Sequence, residues 1–198
     1  MSNNQRSTIV AKLTAHGFVS AIMTSQAPKL KNARSFHVRL GTYTERRSPM
    51  KALQLAHCRT TPRAATAINQ KGFSEDSHER ILDLAMLSIA DLGLHTGARY
   101  HEICTWAHQL GFELCPAEAA AALRVIYQHQ AKGESVRVAM KTLPFFQGDF
   151  RGAGVFVIGR DEKGLFLDID ETRVDDFYEP HNVFIFACPR KTLTVRSF

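Results

Sequence analysis

Two features are missing from this 198-residue sequence, and each absence excludes a class of protein. No uninterrupted apolar run approaches the roughly 18 residues that a membrane-spanning helix needs, so we expect no such helix. Only four cysteines are present, and none belongs to a C-x-x-C pair, which argues against a disulfide-stabilised miniprotein. Sparse cysteines are typical of reducing compartments, so we predict a cytoplasmic protein with reduced thiols.

Acidic residues are almost absent from the first third of the chain. Residues 1–71 contain 12 lysines and arginines but one acidic residue, Glu45, which gives a net charge of +11. Residues 72–198 contain 13 basic and 18 acidic residues, a net charge of −5. This asymmetry predicts a basic N-terminal segment (1–71), which we expect to be poorly patterned and mobile, and an acidic folded domain (72–198).

The basic segment is compatible with several roles. Its arginines could follow a nucleic-acid backbone, where each neutralised phosphate releases counterions. A composition rich in Arg and Ser and poor in acids is also typical of a targeting peptide, and a tail without a specific role or a small packed subdomain would fit as well. The candidates for nucleic-acid contact are Arg34, Arg39, Arg46, Arg47, Arg59 and Arg63.

Helical spacing of apolar residues predicts three helices in the acidic domain. Capping residues at 74–79 and apolar residues between 81 and 92 indicate the first helix. The second is predicted over 98–110. The third begins at Pro116, because proline suits the first helical position, and Ile126 belongs to its buried stripe.

Alternation of apolar and polar residues then predicts a strand at 136–140. Residues 154–160, rich in Val, Phe and Ile, and residues 165–169 are predicted to form a hairpin across the turn at 161–164. A fourth strand is predicted at 182–188 and a short fifth strand at 191–196. In the basic segment only residues 35–44 show such alternation. Helices followed by strands with short connections favour an α+β fold, in which three helices precede an antiparallel sheet of three to five strands.

Several stretches of the acidic domain resemble a group of small bacterial proteins of unknown function. They are LGLHTGARYHEI from residue 92, LGFELCPAE from residue 110, LRVIY from residue 123, GLFL from residue 164 and VFIF from residue 183. The resemblance covers about residues 85–190 and leaves out the basic segment. It implies a self-contained bacterial domain and brings no activity, cofactor or site residue.

His101, Cys104 and His108 have the side chains of zinc ligands and fall on one face of the second predicted helix. His101 and His108 are seven residues apart, about 10 Å along a helix axis at 1.5 Å per residue, which is too far for one ion on a straight helix. We therefore predict no metal site and no cofactor. Instead, His101, Trp106 and His108 are predicted to form a surface for a ligand or partner.

Cys115 is a weak candidate for a nucleophile. It precedes Pro116 at a predicted helix start, where the helix dipole can lower the pKa of a thiol and a histidine could activate it. In the alternative interpretation, Cys115 is buried and packs as a small hydrophobic residue, and it does not act as a nucleophile.

Eight acidic residues crowd the stretch from residue 161 to residue 179. Carboxylate oxygens there could hold a hard cation. The stretch could equally form a solvated edge, or dock intramolecularly or onto a basic partner.

These observations favour an intracellular bacterial protein without catalytic activity, an interaction module or a small-ligand-binding module. We expect its partner to be an unknown protein or a small molecule, and we expect no association with a membrane. Two alternatives remain: a nucleic-acid-binding protein that uses the basic segment, and a hydrolase or transferase that uses Cys115. The sequence leaves open whether any catalysis occurs, the oligomeric state, and whether residues 1–71 persist in the mature protein.

Overall fold

The computed structural model describes residues 34–43, 48–70, 73–74 and 78–188. Four helices are interspersed among the first strands of these residues, and the last six elements are all strands. Their order is β1 (Arg34–Leu40), α1 (Pro49–Leu55), β2 (Arg59–Thr60), α2 (Pro62–Ile68), β3 (Arg80–Ser88), β4 (Ala98–Arg99), α3 (Tyr100–Gln109), α4 (Glu118–Ile126), β5 (Ser135–Val138), β6 (Leu143–Gln147), β7 (Phe150–Asp161), β8 (Gly164–Glu171), β9 (Phe177–Tyr178) and β10 (Val183–Cys188).

Eight of these strands form one large, curled, mixed sheet. The strand order is β1–β3–β10–β5–β7–β8–β2, and β6 pairs with the long strand β7. Most neighbours are antiparallel, whereas β10 with β5 and β2 with β8 are parallel. Strands β4 and β9 form a separate antiparallel pair.

The prediction of three helices followed by an antiparallel sheet of three to five strands is therefore wrong. The sheet is larger and mixed, four helices occur among the described residues, and helices and strands are interspersed along the chain. The α+β class itself agrees with the structure. Residues 34–60, predicted to lie outside the folded domain, supply β1 and β2, and the segment predicted as the first helix supplies β3.

The first predicted helix is in fact strand β3. This strand lies between β1 and β10, and Leu84, Ala85, Met86 and Leu87 are all buried. A strand buried on both faces has a near-continuous apolar run, and such a run also satisfies helical spacing. The periodicity of the sequence could not distinguish the two.

The other predicted elements of the acidic domain are close to those observed. Helices α3 and α4 lie within their predicted segments, and β5, β7, β8 and β10 overlap the four predicted strands. The predicted fifth strand at 191–196 lies outside the described residues. The helices have seven to ten residues, and in the described part of the chain none is long and apolar enough to cross a bilayer.

Part of the basic segment belongs to the sheet. Strand β1 pairs with β3 along all seven of its residues, and its side chains Val38 and Leu40 are buried. Residues 1–33 and 44–47 lie outside the described residues, so the structure does not test whether they are mobile. The sheet does not begin where the net charge of the chain changes, at residue 71, because β1 and β2 both precede that residue.

The two faces of the sheet are covered differently. Leu84 and Ile185 point to the face over which α4 packs, and Tyr127, at the C-terminal end of α4, contacts Phe36 of β1. We call this the α4 face. The opposite face, which we call the α3 face, carries an aromatic cluster between β10 and the region of α3. The cluster consists of Tyr100, Phe112, Tyr178, Phe184 and Phe186.

A buried carboxylate ties α4 to the end of β1. The side chain of Glu118 accepts hydrogen bonds from the backbone N–H of Gly41 at 2.9 Å and from the hydroxyl of Ser74 at 3.0 Å. Glu118 is only 3% exposed. Gly41 has a φ of +71°, and a Cβ there would lie 2.1 Å from the carbonyl oxygen of His78, so the turn after β1 requires glycine.

We predict that Glu118→Ala lowers the free energy of unfolding by about 2 kcal/mol, because the N–H of Gly41 loses a charged acceptor in a poorly solvated position. Urea denaturation monitored by circular dichroism measures the change. The control is Glu162→Ala, since the Glu162 side chain is 82% exposed and its surface ion pair is worth at most about 1 kcal/mol. Equal losses in the two variants would contradict the anchoring role of Glu118.

Candidate functional site

A groove of about 600 Å³ lies between α1, α4 and the turn that follows β1. Its lining is apolar on the two helices, and two of the apolar side chains are unusually exposed: Leu55 at 73% and Ile126 at 49%. Water therefore contacts hydrophobic surface that a ligand could cover. The apolar lining residues are Ala52, Leu55, Ala122, Val125 and Ile126.

Helical spacing explains why these side chains share the groove. Helix α1 begins with Ser48 as N-cap, whose hydroxyl accepts a hydrogen bond from the backbone N–H of Lys51 at 3.2 Å, followed by Pro49. Lys51 and Leu55 are four residues apart and so project from one face of α1. On α4, Ala122 and Ile126 have the same spacing.

The charge of the groove is positive. Arg39 and Lys51 line it, and no aspartate or glutamate does so among the described residues. Arg39 is paired with the exposed Glu79, at 2.8 Å between Nη1 and Oε1. Lys51 has no ion-pair partner in the part of the chain that the structure describes.

Tyr43 adds a hydrogen-bond donor to the groove. Burial and the nearby carboxylate of Glu118 raise the pKa of Tyr43 to about 12. Its hydroxyl is therefore protonated at neutral pH and can donate to an acceptor in the groove.

No protein-family model, curated protein or solved structure matches this chain. The resemblance of residues 85–190 to small bacterial proteins thus stays a prediction. The function has to be argued from the geometry of the site alone.

The groove was not expected from the sequence. No helix was predicted at α1, although Ser48-Pro49 is a typical helix start. Ile126 was predicted to lie in a buried stripe, whereas it is 49% exposed. Which apolar side chains remain uncovered depends on the contacts between helices, and periodicity does not contain that information.

Four of the six arginines predicted to contact nucleic acid are paired with acidic residues from the region after residue 71. Arg46 and Arg47 lie outside the described residues. Two of the pairs involve Asp161 and Asp168 of the acidic stretch 161–179, and all four together neutralise part of the charge asymmetry. The pairs are Arg34 with Glu134 at 3.2 Å, Arg39 with Glu79 at 2.8 Å, Arg59 with Asp161 at 2.5 Å and Arg63 with Asp168 at 3.6 Å.

His101, Trp106 and His108 all lie on α3 but do not present one surface. His101 and His108 are exposed, and Nδ1 of His101 lies 2.8 Å from the carbonyl oxygen of Val174. Trp106 is half-buried against the core, and its indole N–H donates to the carbonyl oxygen of Leu92 at 2.7 Å. The polar atom of Trp106 is thus used inside the fold.

Among the described residues, the structure supplies no further ligand that would complete a zinc site with His101, Cys104 and His108. Within the described residues, no group of three or more His, Cys, Asp or Glu side chains could hold a metal ion. Cys104 is half-buried, and burial raises the pKa of its thiol to about 11. A protonated thiol is a poor metal ligand.

Cys115 lies in an environment that does not favour a nucleophile. The residue is buried, its Sγ donates to the carbonyl oxygen of Ile185 at 3.6 Å, and burial strongly raises the pKa of its thiol. Helix α4 begins at Glu118, so Cys115 is not at the helix start either.

We predict that all four cysteines react slowly with iodoacetamide in the native protein at pH 7.5. Burial raises the pKa of Cys58 and Cys104 to about 11 and of Cys188 to about 12, and raises that of Cys115 as well. Mass spectrometry should show alkylation at least about tenfold slower than in urea, because the thiolate is the reactive form. Rapid, selective labelling of Cys115 would contradict this and revive a cysteine-dependent enzyme.

A pH titration tests the pairing of the basic and acidic parts of the chain. The Arg59 guanidinium forms two hydrogen bonds to the Asp161 carboxylate, at 2.5 and 2.6 Å, and lowers the pKa of Asp161. A lowered pKa stabilises the fold at neutral pH, and this contribution is lost as the pH falls through the folded-state pKa.

We therefore expect Arg59→Gln to raise the pKa of Asp161 towards its ordinary value, measured by NMR titration of the carboxyl carbon. Lys141→Gln, which removes an exposed cation elsewhere, should leave the Asp161 titration unchanged. An unchanged Asp161 titration in Arg59→Gln would show that the two side chains are not paired in solution.

Proposed function

We propose that this protein is a non-catalytic binding module whose groove between α1 and α4 takes a small amphipathic anion, a compound with an aliphatic body and one carboxylate. The observation that carries the proposal is the combination of an apolar volume of about 600 Å³ with two cations and no acidic lining residue among those described. Apolar lining favours an aliphatic body, and the cations favour an acidic head.

The size and lining of the groove support a small ligand. Sites for small molecules typically enclose about 300–1,000 Å³ and have mainly apolar walls with a few polar groups. Leu55 and Ile126 stand on opposite walls, one on each helix. An aliphatic chain between them would remove both from water, and burial of one such side chain contributes about 1.5–3 kcal/mol.

The polar groups of the groove support a carboxylate as the head group. Lys51 supplies a charge-assisted donor, and the protonated hydroxyl of Tyr43 supplies a neutral one. The hydroxyl of Ser48 is already used as the cap of α1. These roles are typical of binding and offer no activated nucleophile.

The two alternative functions have less support. The described arginines of the basic segment are engaged in internal ion pairs, which weakens the argument for a nucleic-acid surface. The buried thiol of Cys115 weakens the argument for cysteine-dependent catalysis. An intracellular bacterial setting remains a proposal from the sequence.

The proposal predicts that decanoate displaces the fluorescent anion 1-anilinonaphthalene-8-sulfonate from the native protein. Leu55→Asp and Lys51→Glu should each weaken decanoate binding at least about tenfold, a loss of about 1.4 kcal/mol. The first change removes an apolar contact, and the second replaces attraction of the carboxylate by repulsion. Both residues are exposed, so neither change should unfold the protein. The matched controls are Val174→Asp, at a side chain that is 61% exposed, and Lys141→Glu.

Two outcomes would overturn the proposal. If the control variants weaken decanoate binding as much as the groove variants, the ligand binds elsewhere or only through net charge. If decanol displaces the dye as well as decanoate does, the cations of the groove do not recognise a carboxylate.

A further inference from the structure

A second, more polar cleft of about 220 Å³ lies on the α3 face of the sheet. Arg137 of β5 pairs with Phe184 of β10, so the two side chains point to the same face of the sheet. On the other side of β5, Arg137 pairs with Val157 of β7, and Val157 in turn pairs with Asp168 of β8. The outward side chains of three strands thus meet there. The cleft is on the opposite face from α4 and is independent of the groove.

Both arginines of this cleft are held in position by a carboxylate and an aromatic ring. Nε of Arg137 donates to Asp170 at 2.7 Å, and its guanidinium lies 5.0 Å from the centre of the Tyr178 ring. Arg63, from the first turn of α2, lies 3.6 Å from Asp168 and 5.6 Å from the centre of the Phe145 ring. Such contacts restrict the rotamers of a guanidinium before any ligand arrives.

Hydrogen-bond donors exceed acceptors in the cleft. Each guanidinium has five N–H groups, and Arg137 uses one of them on Asp170. The 3.6 Å contact of Arg63 is longer than a hydrogen bond. Asp168 already accepts from the backbone N–H of Ile169 and from the hydroxyl of Thr61. Among the described residues the other N–H groups of the two arginines have no acceptor.

We propose that this cleft binds the phosphate group of a small phosphorylated compound, with Arg63 and Arg137 as the charged donors and the Ser135 hydroxyl as a neutral one. A phosphate offers acceptor oxygens to two guanidinium groups at once, whereas a carboxylate is satisfied by one. Asp168 and Asp170 balance the charges of the two arginines, so recognition rests on the directed N–H donors of the guanidinium groups and not on an excess of positive charge.

Isothermal titration calorimetry with inorganic phosphate and phenyl phosphate, at constant ionic strength set with chloride, tests the site. Ser135→Asp places a third carboxylate in the cleft and keeps both arginines, and it should weaken phosphate binding at least about tenfold by repulsion. The matched control is Ser35→Asp, the same substitution at an exposed position of β1, which should bind as the native protein does. Arg137→Gln should also lose binding.

Phenyl phosphate should bind more tightly than inorganic phosphate, because the cleft has room for an organic group beside Phe166. Equal weakening by Ser135→Asp and Ser35→Asp would overturn the proposal, since only general repulsion would then be at work. Tighter binding of inorganic phosphate would overturn the assignment to a phosphorylated compound. Neither result would affect the groove, whose probes and variants are different.

Discussion

Burial of β3 on both faces is the constraint on which the rest of the fold depends. This strand joins β1, from the basic N-terminal segment, to β10, near the C-terminal end of the described residues. Successive side chains of β3 point to opposite faces of the sheet. Those on one face are buried under α4, and those on the other face are buried under the aromatic cluster. Removing either cover would expose apolar surface of β3, and the pairing of β1 with β3 makes residues 34–40 part of the same sheet.

The ion pairs between the two halves follow from this arrangement and do not create it. Arg34, Arg39 and Arg59 all pair with acidic partners while remaining partly exposed. Exposed pairs contribute little to stability, typically about 0–1 kcal/mol. Their main consequence is to neutralise a charge asymmetry that, in the sequence alone, resembles a surface for polyanions.

The sheet separates two kinds of chemistry. On the α4 face, two short helices leave Leu55 and Ile126 exposed beside a lysine, which suits an apolar anion. On the α3 face, strand alternation places Arg137 beside Asp168 and Asp170 in a more polar cleft, which we propose as a phosphate site. The ligand that suits each face therefore depends on which side chains the packed helices and strands leave exposed there.

By itself the sequence determined the local structure wherever one face of an element is buried. The alternation along β5, the amphipathic spacing of α3 and the proline before α4 each have one interpretation. Where burial is two-sided, as at β3, the pattern is consistent with either a helix or a strand, and only pairing with β1 and β10 decided between them. The tertiary structure alone also decided which arginines are neutralised, that Trp106 points inward and that Leu55 does not. These outcomes depend on contacts between residues far apart in the chain, and no local pattern encodes such contacts.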